Sequence, residues 1–408
     1  MGYTYIDGSV TAAKGFKASG IHCGIRKNKT KRDIALIFCE KKCTAAAVYT
    51  TNLVQSSPIT VTKKNLEDGY AQAVIVNSGN ANTCNADGIE KAEMMCSLAA
   101  EKLGISAGDI IVGSTGVIGQ ILPIEPIRDG MDQLVSGLTA DSEGAANAAE
   151  AIMTTDTVPK EVAVETVIGG KTVRVGGISK GSGMIHPNMA TMLCFVTTDA
   201  AISADMIRKA VKTAADKTFN MISIDGDTST NDTLSVMASG LAGNDEITEE
   251  NDDYYIFLEA LTAVCRGLAR MMAKDGEGAT KLLTCMVTGA KTEADAKGVA
   301  KSVICSSLLK AAMFGADANW GRVLCAIGYS GCDVDVNKVD VSFASKAGRI
   351  DVCRNGAGIE FSEELAKTIL TEDEIDIVVE LNDGEGAAEA YGCDLTYEYV
   401  KINGDYRT

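Results

Sequence analysis

Residues 177–200 read GISKGSGMIHPNMATMLCFVTTDA, a Gly-rich segment followed directly by an apolar one. Gly and other small residues dominate up to Ala190, so the backbone there can take conformations that larger side chains forbid. Residues 192–196 are apolar and predict a buried strand. Thr191 directly precedes this run and would be the first residue of the strand. The sequence therefore predicts a loop that delivers a hydroxyl group to the start of a rigid strand.

Strand-like and helix-like segments are mixed on both sides of this stretch. Apolar runs of strand length occur at residues 35–39 and 73–77, and residues 376–381 predict a later strand. Asp87 and Glu90 form the pattern of a capping box, which predicts a helix ending at Gly104. Further helices are predicted from Ser203 and over about 253–273 and about 298–313. The mixture predicts an α/β or α+β protein whose sheets are covered by helices.

The bulk composition excludes several classes of protein. The 408 residues predict two to three domains, or one large and one small domain. A formal charge of −17 makes nucleic acids and anionic membranes poor partners, although a small anionic substrate can still meet a locally positive site. No apolar run approaches the ~18 residues of a membrane span, and the N-terminus lacks the pattern of a signal peptide. We expect a cytoplasmic protein.

The cysteine and histidine content argues against disulfide and metal chemistry. Thirteen Cys are scattered through apolar stretches, which is unlike a secreted disulfide framework. Cys39 and Cys43 form the only close pair, and no second pair or His cluster completes a zinc site. The segment from Asp225 to Ser229 resembles a calcium loop, but Val236 occupies the position of the required Glu. We expect reduced cysteines and no metal.

A Thr at the start of a strand is usually structural, and a catalytic role requires a base. A hydroxyl is a weak nucleophile without one. His186 is the only imidazole near Thr191 in sequence, and it precedes Pro187, which favours a structural role. The α-amino group of Thr191 would serve instead, with an ordinary pKa of ~7.7–8.0. That amine exists only if the bond between Ala190 and Thr191 is cut, and the residues alone leave both interpretations open.

A family resemblance favours the catalytic interpretation. KGSGMIHPNMATML at 180–193 resembles the cleavage motif of the ornithine acetyltransferases, also called bifunctional glutamate N-acetyltransferases. The resemblance covers nearly the whole chain. One small departure is at residues 12–14, which read Ala-Ala-Lys where the family would have a Pro before the Lys. The other segments that resemble the family are GFKASGIHCGI at 15–25, VYTTN at 48–52, VNSGNAN at 76–82, GSTGVIG at 113–119, MTTDT at 153–157, SIDGDTSTNDT at 223–233, DGEGATK at 275–281, GADANWGR at 315–322 and YVKINGDYRT at 399–408.

The resemblance implies a fold and a set of site residues. It implies stacked β-sheets flanked by helices, similar to the N-terminal-nucleophile enzymes, with a second smaller domain. Cleavage between Ala190 and Thr191 would give an α chain of residues 1–190 and a β chain of residues 191–408, assembled as an α2β2 heterotetramer. Thr115 and Gly116 would form the oxyanion hole. The implied substrate contacts are Thr157, Lys180, Thr191, Glu277, Asn403 and Thr408.

The site residues have simpler interpretations when the resemblance is set aside. GSTGVIG is typical of a tight turn, Lys180 of a solvated surface lysine and Glu277 of a solvated loop carboxylate. Asn403 and Thr408 lie in the last six residues, where disorder is common. Their assignment requires the C-terminus to fold back over the site.

The implied reaction is a ping-pong acetyl transfer without a cofactor. N2-acetylornithine would acetylate Thr191, and glutamate would take the acetyl group to become N-acetylglutamate. Acetyl-CoA is a further donor if the enzyme is bifunctional. The alternatives are an aminopeptidase or amidase of related fold with an N-terminal nucleophile, which would release the acyl group to water, and a binding protein that is never cut.

Overall fold

Two β-sheets, of nine and seven strands, organise the described residues, which are 2–186 and 192–404 of this computed structural model. The strands in chain order are β1 (Tyr3–Ile6), β2 (Phe16–Ile21), β3 (Ile34–Tyr49), β4 (Tyr70–Asn77), β5 (Ile110–Ser114), β6 (Lys160–Ile168), β7 (Lys171–Lys180), β8 (Leu193–Thr198), β9 (Ile222–Ser223), β10 (Thr233–Ala238), β11 (Leu282–Ala290), β12 (Asp340–Ser345), β13 (Gly348–Arg354), β14 (Ala357–Gly358), β15 (Glu374–Glu380) and β16 (Gly386–Cys393).

The helices cover these sheets. They are α1 (Ser57–Asn65), α2 (Gly88–Leu103), α3 (Glu125–Ser136), α4 (Ser142–Ala151), α5 (Ala204–Lys217), α6 (Asp252–Lys274), α7 (Glu293–Cys305), α8 (Ser307–Phe314), α9 (Trp320–Gly328), α10 (Glu363–Leu370) and α11 (Tyr397–Gly404). The mixed α/β architecture that the sequence predicts is confirmed. Within the described part of the chain, no helix is both long and apolar enough to cross a lipid bilayer.

The nine-stranded sheet joins strands from both sides of residue 191. Its order is β1-β6-β7-β8-β10-β3-β4-β5, and β2 also pairs with β3. The predicted strand after Thr191 is β8, and all six of its residues are buried. It pairs antiparallel with β7 and parallel with β10. A strand with neighbours on both sides and no exposed residue explains why its sequence is apolar without alternation.

The seven-stranded sheet has the order β14-β13-β12-β15-β11-β16-β9. Helix α6 packs on β6 and β7 of the first sheet and also contacts β11 and β16 of the second. The Asn251 side chain accepts from the Tyr254 N–H at 3.0 Å and caps this helix, and Asp252 in its first turn complements the helix dipole. A central helix with an apolar surface therefore links the two sheets.

Two details of the predicted helices are wrong. The single helix expected over about 298–313 is two helices, α7 and α8, because Ser306 has an extended backbone (φ −68°, ψ 106°) and its hydroxyl caps α8 by accepting from the Leu309 N–H. The predicted end of α2 is confirmed by Gly104 in the left-handed conformation. Its predicted capping box is not formed, because the Asp87 side chain makes no cap hydrogen bond.

Candidate active site

The connection between β7 and β8 has both ends fixed to the sheet. Lys180 and Leu193 are Cα partners in the antiparallel pair of these two strands. On the other side of β8, the Thr233 N–H donates to the Met192 carbonyl oxygen at 2.7 Å. The short connection thus leaves the sheet at the end of β7 and returns to it at the start of β8.

Three of the predicted site residues lie outside the described residues. They are Ala190 and Thr191 at the expected cleavage site, and Thr408 at the C-terminus. The other predicted residues are all described.

One pocket lies beside the connection and draws its lining from distant parts of the sequence. Lys180 comes from the end of β7, Thr115 from just after β5, and Met192 from just before β8. The remaining lining residues are Gly183, Met184, Ile185, Leu193, Ser229, Asn231 and Asp232. The pocket therefore brings a predicted oxyanion-hole residue and a predicted substrate contact next to the residue that follows Thr191.

The turn after β5 places Thr115 in the lining of the pocket. The Thr115 N–H donates to the Asn77 carbonyl oxygen at 2.9 Å. Gly116 has φ +133°, and a Cβ there would lie 2.8 Å from the Asn80 backbone nitrogen, so the turn requires glycine. The Thr115 side chain is half-buried, and its hydroxyl has no hydrogen-bond partner within residues 2–186 and 192–404.

Asn231 fixes this turn, and the sequence did not single it out. Its buried side-chain amide donates to the carbonyl oxygens of Ala81 and Ser114, both at 2.7 Å. The side-chain oxygen Oδ1 of Asn231 accepts from the Thr83 hydroxyl at 3.1 Å. Asn231 lies in the SIDGDTSTNDT segment, which resembles the family but for which the sequence predicted no site residue.

Lys180 is buried rather than solvated. Its side-chain nitrogen lies 4.0 Å from Asp156 Oδ2, in an ion pair, and the residue is only 8% exposed. Burial lowers the pKa of Lys180, and the charge of Asp156 opposes that shift. The interpretation of Lys180 as a surface lysine is therefore wrong.

A buried ion cluster lies beneath Lys180. Asp156 accepts from the Lys160 ammonium at 2.7 Å and from the Gly181 N–H at 2.7 Å. Lys160 is fully buried and also donates to Asp275 at 2.6 Å. Burial alone would raise the pKa of Asp156, but the ammonium groups of Lys180 and Lys160 hold it well below its usual range. The cluster therefore keeps a carboxylate charged beside the pocket.

Thr157 contacts this cluster but does not line the pocket. Its N–H donates to Asp275 Oδ2 at 3.0 Å, and its hydroxyl also donates to Asp275. The predicted substrate contact at Thr157 is thus linked to Lys180 through Asp275, Lys160 and Asp156.

Glu277 and Asn403 contact each other beside the Gly-rich segment. The Glu277 N–H donates to the Ser182 carbonyl oxygen at 2.8 Å, and a Cβ on Gly183 would lie 2.4 Å from Glu277 Oε2. Asn403, on α11, donates from its amide to Glu277 Oε2 at 2.7 Å. The C-terminal helix therefore folds back onto the loop that leads into the connection.

The segment around Asp225 also makes hydrogen bonds to this loop, at residues 184–186. Asp225 accepts from the backbone N–H groups of Met184 and Ile185 at 2.6 and 2.9 Å. The Thr228 hydroxyl donates to the His186 carbonyl oxygen at 2.8 Å. No group of three or more His, Cys, Asp or Glu side chains suited to a metal ion occurs within the described residues.

The His186 ring does not line the pocket. Its Nδ1 lies 3.0 Å from the Ser223 hydroxyl and 3.4 Å from the Cys305 sulfur. Burial lowers the pKa of His186 to about 4, and the charge of Lys301 contributes. A neutral, packed ring agrees with a structural role.

The mixed α/β fold carries a pocket whose lining residues include hydroxyl, ammonium and carboxyl side chains, which are groups that enzymes use to bind small polar substrates. The chain belongs to the ArgJ family, whose family model matches residues 17–408. It is therefore an acetyltransferase of arginine biosynthesis.

Relatives of known name are similar over the full length. The arginine biosynthesis bifunctional protein ArgJ of Caldanaerobacter subterraneus is 50% identical over 404 residues, which are 99% of each chain. That of Geobacillus stearothermophilus is 49% identical over 98% of this chain and 97% of its own. The crystal structure of the protein of that name from Bacillus halodurans is 48% identical with a TM-score of 0.50, and the match covers 98% of the solved chain but 52% of this one.

Proposed function

We propose that the chain is cut between Ala190 and Thr191 and that Thr191 then carries an acetyl group from N2-acetylornithine to glutamate. The observation that carries the proposal is that Thr115, Lys180 and Met192 line one pocket. Because Met192 directly follows Thr191, a hydroxyl donor and an ammonium group lie beside the neighbour of the proposed nucleophile.

Cleavage would use the Thr191 hydroxyl and one water molecule. The hydroxyl oxygen attacks the Ala190 carbonyl carbon, the peptide C–N bond breaks, and an ester and a free α-amine form. Water then hydrolyses the ester, which leaves a carboxylate on Ala190 and restores the hydroxyl. The solved chain from Bacillus halodurans, which is matched over 98% of its length yet spans only 52% of this chain, supports a division into two polypeptides of about half size. These would be residues 1–190 and 191–408, assembled as an α2β2 heterotetramer.

Transfer would proceed through an ester on Thr191. Its hydroxyl attacks the acetyl carbonyl carbon while its own α-amine takes the proton. The Thr115 hydroxyl and the Gly116 N–H donate to the oxyanion, the amide C–N bond breaks, and ornithine leaves with the proton. The glutamate amine then attacks the ester, which gives N-acetylglutamate and free Thr191. The position of Thr115 in the pocket lining supports its part in this step, and its hydroxyl has no hydrogen-bond partner among the described residues.

The charged groups around the pocket suit amino-acid substrates. Lys180 would bind the substrate carboxylate, and Glu277, held by Asn403, would receive a substrate ammonium. Thr157, Thr191, Asn403 and Thr408 complete the proposed substrate contacts. Acetyl-CoA is proposed as a second donor, which would give this chain two activities, as the word bifunctional in the names of its relatives suggests.

Intact-mass measurement combined with an acetyl-transfer assay tests the proposal. Two polypeptides of about half of 42.6 kDa, one beginning with Thr191, should form N-acetylglutamate from N2-acetylornithine and glutamate. Thr191→Ala should remain one inactive chain, and Thr191→Ser should be cut because it keeps a hydroxyl. Full activity from an unbroken chain would contradict the proposal. Acetate released without glutamate would indicate an amidase, and omitting or adding acetyl-CoA tests the second donor.

A further inference from the structure

The pocket contains a buried carboxyl group that takes no part in the proposed acetyl transfer. Asp232 immediately precedes β10, lines the pocket and is 1% exposed. Its Oδ2 is buried and has no hydrogen-bond partner in the described structure. Buried polar atoms in folded proteins nearly always have partners, so an orphaned oxygen on a pocket wall indicates a position that a ligand fills.

Within residues 2–186 and 192–404, Asp232 forms no ion pair with a Lys, Arg or His side chain. Lys180 lines the same pocket, but its ion pair within the described residues is with Asp156. Burial raises the pKa of Asp232 well above its usual range, against the opposing effects of the Ser229 hydroxyl, the Lys180 charge and the Thr50 hydroxyl. Binding of a cation beside this carboxyl group would therefore favour loss of its proton.

We propose that Asp232 binds a primary amine in this pocket, as the counterpart of Lys180, which takes the carboxylate. An ammonium ion supplies the hydrogen bond that the orphaned oxygen lacks and a charge that offsets the burial of a carboxylate. A neutral hydroxyl or amide would supply the hydrogen bond but not the charge. An α-amino acid carries both a carboxylate and an amine, so the two pocket groups match its two charges.

The identity of the amine rests on the proposed function, and two sources share its chemistry. One is the α-amine of ornithine or glutamate. The other is the α-amine that cleavage would expose on Thr191, since the Thr233 N–H donates to the Met192 carbonyl oxygen and brings that strand beside Asp232. The experiment has one arm for each source.

The first arm measures ornithine binding by calorimetry in the uncut Thr191→Ala protein, with and without Asp232→Asn. Loss of a charge-assisted hydrogen bond should weaken binding roughly 10- to 100-fold if the substrate amine is the ligand. Asp376→Asn is the matched control, because Asp376 is also a carboxyl group whose pKa burial raises, but it lies on the seven-stranded sheet, away from this pocket. Thermal unfolding verifies that each variant is folded.

The second arm compares the pH dependence of acetyl transfer in the cut wild type and in Asp232→Asn. A carboxylate partner raises the pKa of an amine, so its removal should move the rising limb of kcat to lower pH by about one unit if the chain's own amine is the ligand. In that case KM stays unchanged.

The two arms separate failure of this inference from failure of the proposed function. A wild type that is never cut and transfers no acetyl group defeats the proposed function, while the calorimetric comparison still reports on Asp232. Unchanged ornithine affinity together with an unchanged pH profile overturns the inference. So does a complete absence of ornithine binding in a protein whose pH profile Asp232→Asn leaves unmoved.

Discussion

Lys180 and Leu193 face each other as Cα partners across the antiparallel pair of β7 and β8. The fourteen residues from 180 to 193 therefore contain the proposed cleavage site, and yet they begin and end at neighbouring points of one sheet. On the far side of β8, β10 pairs in turn with β3. Two strands that follow residue 191 thus lie between strands that precede it.

We predict that the two polypeptides stay together after cleavage. Breaking one peptide bond in the connection leaves the ladder hydrogen bonds and the buried faces of β8 and β10 intact. Size-exclusion chromatography under native conditions should give one peak that contains both polypeptides, and they should separate only in denaturant. The uncut Thr191→Ala protein should elute at the same volume. Elution of either polypeptide alone under native conditions would contradict this.

A second prediction concerns the buried ion cluster. Asp156→Asn should lower the free energy of unfolding by about 3 kcal/mol, because two buried lysines then lack their shared counter-charge. Urea denaturation in the uncut Thr191→Ala background measures this without the complication of dissociation.

Asp373→Asn provides the matched control for the cluster. Asp373 pairs with Lys274 at 3.4 Å, and its side chain is 56% exposed. An exposed pair contributes less than about 1 kcal/mol, so this variant should unfold near the wild-type midpoint. Equal effects of the two substitutions would show that the Asp156 cluster contributes nothing beyond a surface pair.

Much of the architecture was predictable from apolar runs, and the exceptions have physical causes. Residues 35–39 predicted a strand, but β3 is longer and extends over Ile34–Tyr49. Its charged part around Lys41 is exposed and lies beside a register shift. Pairing with neighbouring strands, and not burial, holds that part in the sheet, so an apolar pattern could not predict it. The break between α7 and α8 depends on the extended backbone of Ser306, a residue that also occurs inside helices.

The site was less predictable from residue types, because its key contacts join distant segments. Lys180 is buried by a cluster whose members Asp156 and Asp275 are far apart in sequence. Motif resemblance indicated Lys180, but it gave no sign of that cluster. Asn231 and Asp232 lie in a segment of turn-forming residues, and only the folded chain distinguishes the satisfied amide of the first from the orphaned carboxyl of the second.

A third prediction tests the oxyanion hole. Thr115→Val should lower kcat for acetyl transfer about 100- to 1000-fold, because it removes a hydrogen-bond donor that acts only on the developing negative charge. KM should change little. The free energy of unfolding should also change little, since the Thr115 hydroxyl has no partner among the described residues. Thr115→Ser should keep most of the activity, and a Val variant with wild-type kcat would remove Thr115 from the mechanism.

A last prediction follows from His186, whose pKa burial lowers to about 4 from an ordinary value of 6.5. In this case the unfolded chain binds a proton near pH 6.5 that the folded protein refuses until about pH 4, so the stability that the neutral ring contributes is fully present above pH 6.5 and is lost as the pH falls through that window. His186→Gln cannot take up the proton, and its amide can still hydrogen-bond to the Ser223 hydroxyl. Thermal unfolding at pH 7.5 and pH 4.5 should therefore show a larger drop in Tm for the uncut Thr191→Ala protein than for the same protein with His186→Gln. Equal drops in Tm would mean that the His186 ring takes up a proton in the folded protein as easily as in the unfolded chain. Packing against Ser223 and Cys305 would then not keep the ring neutral.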